Sequence, residues 1–161
     1  YSRFTPQFNR EPLKDELSRH HIIYLYLGEE LGPRSPDPTC YEGGKVQYNR
    51  LAQKDIFKQG LSRLRKGVTR YRIALMCAEK DPLTCHRMLL VCRNLRQDDI
   101  FIQHILEDGS LEDNGETEKR LMKLMKVNPM DLFSTEEDQI QRAYDRQSDK
   151  IAYTLQEGQE T

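Results

Sequence analysis

Residues 70–96 read RYRIALMCAEKDPLTCHRMLLVCRNLR, and their reading decides the fold. The run from Ile73 to Cys77 is apolar and ends at a polar break, the signature of a buried strand. Asp81 followed by Pro82 is a strong helix start, with the carboxylate as cap and proline at the first position. A helix is therefore expected from Pro82 to about Arg96. Cys85, Met88 or Leu89, Cys92 and Leu95 recur along it at helical spacing, which places Cys85 on the stripe facing a sheet.

Working outward, Asn9, Pro12, Leu13 and Leu17 mark an N-terminal helix, and HIIYLYLG (residues 21–28) reads as a second buried strand closed by Gly28. Residues 28–50, with three prolines and four glycines, read as one long loop. A helix over about 51–66 follows, its apolar stripe formed by Leu51, Ile56, Phe57, Leu61 and Leu64 and its end marked by Gly67. A third strand, DIFIQHIL, runs to Leu106. Strands separated by helices imply right-handed parallel crossovers. The expected fold is α/β: a layered, mostly parallel sheet flanked by helices, with a C-terminal helical extension. Residues 1–106 form the core of this scheme, 107–118 an acidic linker, and 119–161 helices packed on the core. In that last part Ser134 and Glu137 make a capping box, and Ile140, Tyr144, Gln147 and Ile151 share one face. A stripe so narrow also suits a homodimer contact.

Composition bounds the function. The chain has 161 residues, of which 37% are hydrophobic and 32% charged, with a net charge of −1. That suits a globular domain and argues against wholesale tuning for nucleic acid or an anionic membrane. Four unevenly spaced cysteines read as cytoplasmic thiols more readily than as a disulfide framework. The run Lys58, Arg63, Arg65, Lys66, Arg70 and Arg72 offers a surface to nucleic acid, or simply a solvated helix face.

The segment Cys77–Arg87 carries the chemistry. In an α/β sheet, sites lie at the carboxyl ends of strands, and Cys77 sits at one. Three readings compete with two buried, inert thiols. In the first, Cys77 or Cys85 is a nucleophilic or redox thiolate, its charge supported by Lys80, His86 and Arg87, with Glu79 transferring protons. In the second, Cys77, Cys85 and His86, joined by His104, ligate a metal such as zinc. In the third, the helix N-terminus, Lys80, His86 and Arg87 hold a small anionic or phosphate-bearing ligand. Cys92 reads as core and Cys40 as incidental. A phosphatase loop fails because position 83 is leucine, and no glycine-rich nucleotide loop or serine-hydrolase elbow is present.

Taken in order, SRFTPQFNREPL (Ser2–Leu13), YLYLGEELG, YRIALMCAEKDPLTCHR, HILEDGSLE and AYDRQSDKIAY resemble the bacterial family known as domain of unknown function 488. The resemblance implies an α/β fold and no established reaction or cofactor. It further implies a strand, a helix and a second strand upstream of Ser2–Phe8, with Arg3 at that strand's exit and a candidate anion contact beside Arg87. Leu31–Ser35 departs from the family, whose members tend to have paired glycines after the leucine. The functional expectation is a cytoplasmic enzyme with a cysteine-containing, anion-binding site. The alternative is a non-catalytic nucleic-acid or metabolite-binding module with structural or metal-holding cysteines.

Overall fold

The computed structural model describes residues 3–127 and 134–155. Among them the chain is mainly helical, and its only sheets are two antiparallel two-stranded hairpins. This overturns the expected mostly parallel sheet. Residues 22–27 and 72–77, the two β-branched and aromatic runs, form no helix and join no ladder. Most of their side chains stand in solvent: Ile23 is 79% exposed, Leu25 60% and Met76 61%. Residue propensity sets an extended backbone, whereas a strand exists only when a neighbour accepts its N–H and C=O groups.

The N-terminal helix α1 (Arg10–Arg19) buries no residue fully. His21, at φ 58°, turns the chain into the first extended segment. A short helix α2 (Gly28–Leu31) then packs on α4 (Asp55–Val68), whose buried stripe is Phe57, Gly60, Leu61 and Leu64. The stretch between them, expected as loop, contains β1 (Tyr41–Glu42), β2 (Lys45–Val46) and α3 (Tyr48–Leu51). Gly43 and Gly44 join β1 to β2 with φ of 55° and 77°, the two left-handed positions of a tight primed hairpin turn. Residues after the last helix extend this hairpin: Val46 N–H donates to the Tyr153 carbonyl at 2.9 Å and Leu155 N–H to Gly44 at 2.8 Å.

The expected helix from Pro82 is broken. A 3-10 turn spans Pro82–Thr84, Cys85 is extended (φ −117°, ψ 135°), a π-helical turn covers Arg87–Val91, and Cys92–Asn94 are again 3-10. Met88, Leu89, Leu90 and Val91 are all buried, because an element apolar on every side can lie only in the interior. The helices α5 (Asn114–Leu124) and α6 (Glu136–Ile151) close over it. The acidic stretch read as linker supplies β4 (Leu111–Asp113), paired with β3 (Gln103–Ile105), and the first turn of α5. The capping box of α6 is Thr135 with Asp138 rather than Ser134 with Glu137; Glu137 instead accepts from Arg96, at 2.6 Å. Ile140, Tyr144 and Gln147 are buried within the chain's own core. Parts of the C-terminal stretch, 128–133 and 156–161, lie outside the described residues.

One polar network ties these pieces together. The carboxylate of Glu118, buried on α5, accepts from Arg96 Nε at 2.5 Å, from the Tyr144 hydroxyl at 2.8 Å and from Asn114 Nδ2 at 2.9 Å. Removing one member of such a network leaves buried donors without partners. Glu118→Ala is therefore expected to cost about 3 kcal/mol in urea unfolding, and Glu118→Gln, which keeps an acceptor for Tyr144, distinctly less. Gly60 gives a second test. Alanine in place of a helical glycine ordinarily gains ~0.5–1 kcal/mol. At Gly60 the added Cβ would lie 2.7 Å from Glu30 Cβ and Leu31 Cδ2. Gly60→Ala should thus lower the melting temperature, with a loss of about 1–3 kcal/mol from overpacking.

Candidate functional site

The turn after Cys77 is fixed by Asp81. Its Oδ1 accepts from Leu83 N–H at 2.9 Å and from the Arg120 guanidinium at 3.0 Å, tying the loop to α5. Pro82 suits the 3-10 start that follows. The chain then doubles back, and the extended backbone at Cys85 sets its thiol directly beneath the loop. Cys77 S–H donates to Glu79 Oε2, and Cys77 Sγ lies 3.2 Å from His86 Nδ1. Cys85 Sγ lies 3.7 Å from the same Glu79 oxygen. One atom from each of Cys77, Glu79, Cys85 and His86 falls within 4.8 Å of every other. Cys85 is 0% exposed, Cys77 and His86 are half-buried, and Glu79 faces solvent.

Arg87 holds this arrangement. Its Nε–H donates to Cys85 Sγ at 3.0 Å and its backbone N–H to the same sulfur at 3.3 Å. The two terminal nitrogens donate to the carbonyls of Leu75, at 3.1 Å, and Glu79, at 2.8 Å. Every guanidinium nitrogen thus has a partner inside the protein, which makes Arg87 a positioning residue. The planar fork donates from three separate nitrogens to three acceptors, whereas a lysine donates only from one.

Charge follows from these contacts. Hydrogen bonding from Cys77, then from His86 and Arg87, holds the Cys85 thiol far below its ordinary range, so Cys85 is the thiolate of the pair. Cys77 moves the other way, because its proton is shared with the Cys85 sulfur, because it is partly buried, and because Glu79 is a second acceptor. Burial, together with the negative charge on Cys85 and Glu79, pushes the nearby Tyr48 phenol up to about 12. Cys92 is also pushed up to about 12, chiefly by burial. It is an inert core thiol, as its spacing indicates.

The structure brings together Cys77, Glu79, Cys85, His86 and Arg87, and leaves other expected members apart. His104, on β3, hydrogen-bonds Asn114 Oδ1 at 3.0 Å and is no part of the cluster. Lys80 pairs with Glu107 on the surface. Arg3 is exposed, and no hydrogen bond joins it to the cluster. Cys40, read as incidental in a loop, is fully buried in the core. Within the basic run, Arg63 pairs with Glu30, and Arg65 pairs with Asp98 at 2.7 Å. Tyr48 and the Leu75 carbonyl were not legible as site members. Tyr48 lies 29 positions before Cys77 in a stretch that reads as loop, and a carbonyl carries no sequence signal.

A family model described as domain of unknown function DUF488 matches residues 1–93. The chain belongs to this family. The match spans more than half of the 161 residues and takes in the whole cluster, ending before the β3–β4 hairpin. No curated protein and no solved structure matches the chain. The DUF488 description names no activity.

Arg87 generates a prediction. Residues 72–77 lack a sheet partner, and the Arg87 bonds to Leu75 and Glu79 anchor them. Hydrogen bonds to a charged group are worth ~1.5–3 kcal/mol. Arg87→Met should therefore speed limited proteolysis within residues 72–79 roughly tenfold or more, with little change in α6. Equal cleavage rates in both proteins would show that the segment is held by other means.

Proposed function

We propose that this DUF488 protein is a metal-thiolate protein that binds a divalent ion of the zinc class through Cys77, Glu79, Cys85 and His86. The observation that carries the reading is the convergence of two sulfurs, a carboxylate oxygen and an imidazole nitrogen within 4.8 Å. One thiol proton serves several acceptors there, a crowding of lone pairs that a cation relieves. Zinc–sulfur bonds of 2.3 Å and zinc–nitrogen bonds near 2.0 Å put tetrahedral ligands roughly 3.3–3.8 Å apart. The 3.2 Å from Cys77 to His86 and the 3.7 Å from Cys85 to Glu79 need only small adjustments to fit. Thiolate and imidazole donors select zinc-class ions over magnesium or calcium.

The environment supports the same reading. Two thiolates and a carboxylate leave one negative charge beyond a divalent ion, and the Arg87 guanidinium offsets it. The two N–H donors of Arg87 on Cys85 Sγ are outer hydrogen bonds of the kind that orient metal ligands. A buried nucleophile would first have to be uncovered, since Cys85 is 0% exposed and lies beneath Cys77 and Glu79. A ligand needs no such access. The exposed donor, Glu79, is the one that can yield its place to water or substrate. In an enzyme, an ion held this way would act as a Lewis acid. Thiolate ligands require a reducing compartment, in keeping with a cytoplasmic protein.

The test is metal content and affinity of the full chain prepared under reducing conditions. About one zinc ion per chain is expected, and cobalt should give thiolate-to-metal charge-transfer absorption. Cys77→Ser and His86→Ala should abolish that absorption. His104→Ala should leave it unchanged, and Arg87→Met should weaken affinity about 10–100-fold. A chain that retains no zinc and gives no cobalt absorption, or one whose absorption survives Cys77→Ser, would refute the site.

A further inference from the structure

We infer that the same centre is a redox switch, in which a hydroperoxide joins Cys77 to Cys85 as a disulfide and expels the ion. The inference rests on the metal reading above and adds its regulation. Of the four cysteines only Cys77 is partly exposed, the other three being buried. It is therefore the sulfur an oxidant meets first. Only Cys85 lies close to it, with the two sulfurs within 4.8 Å and the turn between them pinned by Asp81 to Leu83 and Arg120. Closing to an S–S bond of about 2.05 Å requires Cys77 to move toward Cys85, and Cys77 ends a segment that belongs to no sheet. Arg87, through its two N–H donors, holds the Cys85 sulfur in place near Cys77.

The steps balance. The Cys77 sulfur attacks the terminal oxygen of the hydroperoxide: an S–O bond forms, the O–O bond breaks, and the alkoxide leaves and takes up a proton as alcohol. Cys77 becomes a sulfenic acid. The Cys85 thiolate then attacks the Cys77 sulfur: the S–S bond forms, the S–O bond breaks, and hydroxide leaves to become water. Each sulfur gives up one electron, and the peroxide takes both. The ion loses two of its four donors, and Glu79 with His86 alone does not hold it. A small dithiol reductant returns both thiolates and the capacity to bind.

The experiment treats the zinc-loaded full chain with hydrogen peroxide, following zinc release with a chromogenic chelator and the cysteines by peptide mass spectrometry. Expected are zinc release in proportion to a Cys77–Cys85 disulfide, Cys40 and Cys92 still reduced, and reloading after a dithiol. The Cys92→Ser chain should behave as wild type. Zinc that stays bound while peroxide is consumed would overturn the switch and leave the metal reading standing. So would release with Cys77 oxidised to the sulfinic acid and Cys85 unlinked. A chain that cannot be loaded with zinc at all would remove the metal reading and the switch with it.

Discussion

The guanidinium of Arg87 is the constraint on which the site depends. The segment that ends in Cys77 has no ladder to hold it, so nothing regular fixes where its last residues go. Arg87 supplies what a sheet would otherwise provide, with one nitrogen on the Leu75 carbonyl, one on that of Glu79, and the third on the Cys85 sulfur. A single planar group thereby sets the distance between the descending segment and the turn that follows. Cys77 first, then His86 and Arg87, hydrogen-bond the sulfur it touches and hold that thiol far below its ordinary range.

Arg87 is itself held by an unusual winding. The extended backbone at Cys85 and the π-helical turn over Arg87–Val91 break the helix that the sequence favours locally. π-helical turns are rare and cluster at functional sites. Here the winding turns the Cys85 thiol and the Arg87 side chain toward the loop while Met88–Val91 stay buried on every side. A regular helix would have put Cys85 in the apolar stripe with Leu89 and Cys92. The polar network around Glu118 braces this core from α5 and α6, and Gln147 Nε2 donates to the Leu83 carbonyl at 2.6 Å, beside the turn.

Much of the site was legible because it is local. Cys77, Glu79, Cys85, His86 and Arg87 lie within eleven residues, and a cap-and-proline turn at Asp81–Pro82 announces that the chain doubles back between the two cysteines. Distant partners were misjudged for a physical reason. His104 joins a metal set only if its strand lies beside that of Cys77 in one parallel sheet, and in the structure it pairs with β4. The acidic stretch after Leu106 reads as linker from charge alone. Yet the side chain of Glu118 is buried, because Arg96 and Tyr144 come to meet it from elsewhere in the chain and Asn114 donates from one turn before it.

The sequence by itself determined what neighbours along the chain can decide: non-helical backbone at 22–27 and 72–77, the turn at Asp81, the burial of Met88–Val91, the amphipathic face of α6, and the types of donor in the cluster. Tertiary structure alone decided which extended segments pair, how the helix after Pro82 is wound, and that Arg87 faces inward. Propensity and capping act over about four residues. Ladders, buried ion networks and side-chain-to-carbonyl bonds join groups far apart in the chain, and their partners exist only once the fold has brought them together.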